Sequence, residues 1–130
     1  MQKKTNLAPD PEELAKAISI LALSKKAQEI RILDLRGLTD ITDFFVICSG
    51  DSDLHIKAIA DAIMEGTKEL QAKVWHIEGY KALSWVLLDY INVVAHIFRP
   101  ETRERYALEK LWGDAPTQKV KDEDRAISSR

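Results

Sequence analysis

The chain has 130 residues, 45% hydrophobic and 31% charged, with 19 basic against 21 acidic side chains and a net charge of −2. That length suits one hydrophobic core, and the composition excludes a disordered chain or a fibre. The charge balance argues against a protein held on nucleic acid by its overall field, because phosphate binding needs clustered Lys and Arg that release counterions.

Residues 1–9 read as a flexible N-terminus. Met1 to Asn6 has two lysines but no apolar run behind them, so it is not a signal peptide and a cytoplasmic location is expected. Asp10-Pro11-Glu12-Glu13 is a helix start, with Asp10 as cap, Pro11 at the first helical position and Glu13 three residues after the cap. Leu14, Ile18, Leu21 and Ala22 then share one face, and the helix should end near Lys25 or Lys26.

Ile30 to Leu35 is a short, β-branched strand broken by Gly37, and Asp40 to Asp43 is turn chemistry. Phe44 to Cys48 is a continuous apolar run, as expected of a strand covered on both faces. Ser49 to Asp53 turns the chain, with Ser52 as the next helix cap. Ile56, Ile59, Ala60, Ile63, Met64, Thr67 and Leu70 line one face of a helix of about 17 residues, which Gly66 weakens by ~1 kcal/mol relative to Ala.

Val74 to Ile77 is a further strand, ended by Gly79. Trp85–Tyr90 and Val93–Phe98 are two strands separated by Ile91-Asn92, so they should pair as an antiparallel hairpin. Asn92 tolerates a positive φ and Ile91 does not, which predicts an irregular turn. After Pro100 one helix is expected, with Glu101 and Glu104 near its start, Tyr106, Ala107, Leu108, Leu111 and Trp112 on its apolar side, and Gly113 at its end. Residues 114–130 carry few apolar groups without a shared period and read as a disordered charged tail. The whole reads as a single domain over residues 10–113 of α/β (α+β) class: a mixed five-stranded sheet flanked by helices.

Little in the sequence points to catalysis. Cys48 is alone, so no intramolecular disulfide and no cysteine cluster for zinc is expected. At the end of an apolar strand it reads as a small buried hydrophobe. His55, His76 and His96 lack the three- or four-residue spacing of helical metal ligands, and neither metal nor cofactor is expected. Asp51 and Asp53 have the spacing of paired metal-binding carboxylates, but acids at a helix N-terminus need no metal. The strand Trp85–Tyr90 offers Asp89 alone, since position 91 is Ile. No stretch approaches about 18 uninterrupted apolar residues, so no membrane span is expected.

The hairpin is the informative oddity. Alternation puts Val86, Leu88 and Tyr90 on one side of their strand and Trp85, Leu87 and Asp89 on the other. One reading is a central strand covered on both faces. The other is a face only partly covered, offering an aromatic patch to a partner.

The series Asp40-Ile41-Thr42-Asp43-Phe44-Phe45-Val46-Ile47-Cys48-Ser49-Gly50, Ala58-Ile59-Ala60-Asp61, Glu78-Gly79, Trp85-Val86-Leu87-Leu88-Asp89-Tyr90, His96-Ile97-Phe98, Glu101-Thr102-Arg103, Tyr106-Ala107-Leu108-Glu109 and Leu111-Trp112 resembles the ribosomal silencing factor (Iojap) family. The resemblance implies a non-enzymatic translation regulator with a nucleotidyltransferase-like fold that lacks catalytic residues. It implies binding to the large ribosomal subunit at ribosomal protein uL-fourteen, which blocks joining of the small subunit and lowers translation when nutrients are short. It also implies homodimers, and little direct nucleic-acid contact is expected. The family's partner-binding segment maps onto Trp85, Leu87, Leu88, Asp89 and Tyr90, with His96 on the adjacent strand. The chain departs from the family at Ile91-Asn92, where members usually carry Gly-Asp, and at His55, where Gln is frequent. The alternative functions are a nucleotide-dependent transferase-like enzyme and a subunit of another RNA-handling assembly.

Overall fold

A computed structural model describes residues 7–121. The first helix, α1 (Pro11–Ser24), starts on the expected capping box. The Asp10 carboxylate accepts the Glu13 N–H at 2.8 Å, and the Glu13 carboxylate accepts the Asp10 N–H at 3.1 Å. Two of the N–H groups that a helix start leaves unpaired are thereby satisfied. Asp10→Ala should lower stability by about 1 kcal/mol, read as a lower denaturant midpoint at unchanged slope.

After β1 (Gln28–Asp34) and β2 (Phe44–Ser49) comes the long helix α2 (Asp53–Glu69), capped by the Ser52 side chain as predicted. Ile56, Ile59, Ala60 and Ile63 are fully buried beneath it, beside Ile18 and Ala22 of α1. Each buried Ile contributes roughly 2 kcal/mol. Gly66 is explained by this packing: a Cβ there would lie 2.4 Å from Cδ2 of Leu21 on α1, so the helix-weakening residue is what lets the two helices approach.

The remaining elements are β3 (His76–Glu78), β4 (Trp85–Asp89), β5 (Val93–Phe98), α3 (Pro100–Tyr106), α4 (Leu108–Leu111) and β6 (Thr117–Val120). The sheet has six strands in the order β3-β4-β5-β2-β1-β6. Only the β2–β5 pairing is parallel, so the sheet is mixed as expected. The sixth strand corrects the expectation of five and of a disordered tail from residue 114. β6 pairs antiparallel with β1 from Ile30↔Val120 to Leu33↔Thr117. As an edge strand it buries only Val120, so it leaves no hydrophobic alternation to read. The rest of the expected tail, 122–130, lies outside the described residues, as does 1–6 of the expected flexible start.

The expected final helix is two. Ala107 takes a left-handed conformation (φ 49°) that ends α3 and turns the chain into α4. The hairpin is antiparallel and its turn is irregular, but the strain falls on the other residue. Ile91 has φ 75°, and the Asn92 N–H donates to the Tyr90 carbonyl at 2.9 Å, two residues back. A β-branched residue held there costs about 1–3 kcal/mol.

The two faces of the sheet differ. α1 and α2 cover one, sealing Ile32, Phe44, Val46, Cys48, Val86, Leu88, Tyr90, Val93 and Ile97 into the main core. The other carries a smaller cluster of Leu33, Leu35, Ile47, Phe98 and Ala115, with Phe45, Trp85, Leu108 and Trp112 only partly buried against it.

Candidate functional site: a half-covered aromatic face

β4 shows the difference at single-residue spacing. Val86 and Leu88 are fully buried, whereas Trp85, Leu87 and Asp89 are half-buried on the opposite face. The alternation of Trp85–Tyr90 thus separates the expected partner-binding residues into two sets. Leu88 and Tyr90 belong to the helix-covered core, with the Tyr90 hydroxyl and the Thr67 hydroxyl 2.8 Å apart in a buried hydrogen bond. Both were expected at the contact surface, and in the fold they hold this stretch of chain against α2. Burial raises the Tyr90 phenol pKa, against the opposing effect of the hydrogen bond with Thr67.

Trp85, Leu87 and Asp89 face the other way, beside His96 on β5, which is paired with Leu87. Only 4% of His96 is exposed, so it is a floor residue of the face. Its Nδ1 accepts the indole N–H of Trp85 at 3.1 Å, which leaves the ring proton on Nε2. Nε2 is buried and has no hydrogen-bond partner among the described residues. Burial pushes the His96 pKa down to about 3, so the ring is neutral at physiological pH.

The rings around His96 form one connected cluster. Phe45 meets His96 edge-on at 4.4 Å between centroids and Trp112 at 6.3 Å. Trp85 lies 4.8 Å from Phe98 and 4.7 Å from Tyr106. Each such pair adds about 0.5–1.5 kcal/mol beyond its buried area. Phe45, Tyr106 and Trp112 were not among the expected site residues. Phe45 could have been found by alternation, because it sits between buried Phe44 and Val46 on β2. Tyr106 ends α3, and Trp112 arrives through the bend at Ala107 that follows it.

That bend is held by Arg103. Its guanidinium donates to both Glu109 carboxylate oxygens, at 3.0 and 2.9 Å, and to the Ser49 hydroxyl at 2.9 Å. The fork spans the left-handed residue and fixes α4, with Leu108 and Trp112, against the sheet. The hydrogen bonds from Arg103 hold the Glu109 carboxyl below the usual carboxylate range. Gly79 positions the other side. It has φ 79°, and a Cβ there would lie 1.9 Å from the Trp85 carbonyl oxygen. Only glycine lets the 79–84 loop close so tightly onto the start of β4.

The other candidate chemistry disperses. Asp51 and Asp53 do not converge: the Asp51 N–H donates to His55 Nδ1 at 3.0 Å, and the Asp53 carboxylate accepts from Arg99 at 3.0 Å. The His55 Nε2–H donates to the Lys25 carbonyl at 2.8 Å, tying the start of α2 to the end of α1. His76 pairs with Glu78 at the exposed sheet edge. The thiol of Cys48 is buried and pushed up to about 12 by that burial, against a weaker pull from Arg103, so it is held protonated. Among the described residues no helix is long and apolar enough to cross a membrane, and no His, Cys, Asp and Glu group has the makings of a metal site.

A family model described as "Ribosomal silencing factor during starvation" matches residues 8–130. The chain is 43% identical over 93 residues to a ribosomal silencing factor of Halalkalibacterium halodurans, covering 72% of this chain and 80% of that protein. It is 36% identical over 95 residues to a mouse protein named for mitochondrial assembly of the ribosomal large subunit, covering 71% of this chain and 42% of that longer protein. A crystal structure of a Chromobacterium violaceum protein superposes with a TM-score of 0.79 at 30% identity, covering 81% of this chain and 88% of that one. By the family match over residues 8–130 and the similarity to these relatives, the chain belongs to the ribosomal silencing factor family.

Proposed function

We propose that this chain represses translation by binding the large ribosomal subunit through ribosomal protein uL-fourteen and sterically blocking the small subunit. It acts in the cytoplasm and without catalysis. The observation that carries the reading is the half-covered face in a member of this family: Trp85, Leu87, Phe45 and Trp112 partly exposed around a rigid aromatic floor, with Asp89 at its border. Aromatic anchors are the usual centres of protein–protein binding energy. A blocking factor needs bulk and a specific contact of about 800 Å² per partner, and no turnover. The silencing name of the bacterial relative and the large-subunit name of the mouse relative support the choice of partner.

The border charge gives a test. Asp89 makes no ion pair among the described residues, and its Oδ1 accepts the Ile91 N–H at 2.7 Å. A basic ribosomal protein would meet it favourably. Asp89→Lys is expected to weaken co-sedimentation with purified large subunits about tenfold, and the wild-type chain should not sediment with small subunits. Affinity should change little with salt, because few phosphate contacts are involved. Sedimentation with neither subunit would overturn the reading.

A further inference from the structure

Nε2 of His96 is a buried donor with no hydrogen-bond partner among the described residues, and it lies in the middle of the aromatic face. Strand register sets its place, between Ile47 on β2 and Leu87 on β4. The Trp85 N–H occupies Nδ1, so Nε2 carries the ring proton and can only donate. Nε2 is at the far end of the imidazole from the backbone, and the donor therefore points out of the sheet into the half-covered layer. A buried N–H without an acceptor destabilises the fold that holds it. The cover beside it is loose. Leu87, paired directly with His96, is half-buried and belongs to neither hydrophobic cluster, so its side chain can change rotamer without leaving a packed core. Carboxylates stand at the border: Asp89 follows Leu87 on the same side of β4, and Glu78 on β3 pairs with Leu87. They repel a phosphate or a further carboxylate, so the acceptor that suits this donor is an uncharged carbonyl oxygen.

We infer that His96, uncovered when Leu87 turns aside, donates its Nε2–H to a carbonyl oxygen of the ribosomal protein bound on this face. The inference rests on the function proposed above and gives that contact its orienting polar element, while the surrounding rings supply the apolar anchors. The hydrogen bond satisfies in the complex a donor that the unbound chain leaves buried and unpaired, so forming it favours binding. The ring donates in its neutral form, and the contact needs no protonation.

The test uses the whole chain with isotopically labelled histidine and isolated ribosomal protein uL-fourteen. On binding, the Nε2–H proton signal of His96 is expected to move downfield and to exchange more slowly with solvent. Two substitutions separate the ring nitrogens, because an Asn side chain reaches the place of Nδ1 and a Gln side chain that of Nε2. His96→Asn keeps an acceptor for the Trp85 N–H and loses the outer donor, and should weaken binding about tenfold. His96→Gln keeps an outer donor and should bind within about threefold of wild type, while a thermal melt shows it the less stable of the two because Trp85 loses its acceptor. A residue that only holds Trp85 in place gives the reverse order of affinities, and that order overturns the inference. A proton signal that stays put in the bound complex also overturns it and leaves the proposed function standing; this readout needs no variant and decides the matter if a substitution fails to fold. Binding to purified large subunits but not to the isolated protein overturns it as well, because the partner is then another component. A wild-type chain that binds neither probe removes the proposed function and this inference with it.

Discussion

Trp85→Ala is expected to abolish measurable binding to the large subunit, a loss of at least 30-fold, while the chain stays folded. Trp85 is the hub of the half-covered face: it makes tilted ring contacts with Phe98 and Tyr106 and donates its indole N–H to His96. Truncation of a binding hot spot of this kind costs 2 kcal/mol or more. The same change also costs stability, about 2–3 kcal/mol, which is below the range for a fully buried Trp because this ring is half-exposed. The two effects separate with Trp85→Phe. That variant keeps a ring and loses the N–H, so it should lose about 1 kcal/mol of stability and retain most of the binding. Binding must be measured below the melting temperature of all three proteins. Full affinity in the alanine variant would show that the partner does not touch this face.

What was legible in the sequence follows from what each element buries. α1 and α2 announce themselves because each lays a full stripe against the sheet and each starts on a capping side chain. β4 was legible to the level of single side chains, since Trp85, Leu87 and Asp89 alternate with residues that are fully buried. A contiguous segment from Trp85 to Tyr90 resembles the family's partner-binding strand, and within it strand geometry turns Leu88 and Tyr90 into the core.

The unread parts are those whose conformation comes from tertiary contacts. β6 needs only a backbone ladder to β1 and one buried Val, so nothing in its composition distinguishes it from a tail. The break at Ala107 has no glycine to mark it, and is held by Arg103 reaching Glu109 and Ser49. Phe45 and Trp112 are 67 positions apart and meet only because the bend lays α4 over β2. At residue 91 local preference points to Asn92 for the positive φ, and the hydrogen bond from the Ile91 N–H to the Asp89 carboxylate wins.

Stability should fall in mild acid, and His96 should be the cause. Burial holds its pKa at about 3 in the folded chain, against 6.5 when exposed. Above pH 6.5 both states bind the ring neutral and stability is at its full value. Below it the unfolded chain takes up a proton that the folded chain refuses, so stability drops by about 1.4 kcal/mol per pH unit towards pH 3. The loss reaches roughly 2 kcal/mol by pH 5, before most carboxylates titrate. Denaturant melts at pH 7, 6 and 5 measure it. His96→Phe should flatten this limb, although its stability at pH 7 is lower because the Trp85 N–H loses its acceptor. An unchanged slope in that variant would assign the acid limb to other groups. Binding should not follow this limb while the chain stays folded: the folded ring is neutral down to about pH 3, so Nδ1 keeps accepting the Trp85 N–H and binding should fall only with the folded fraction.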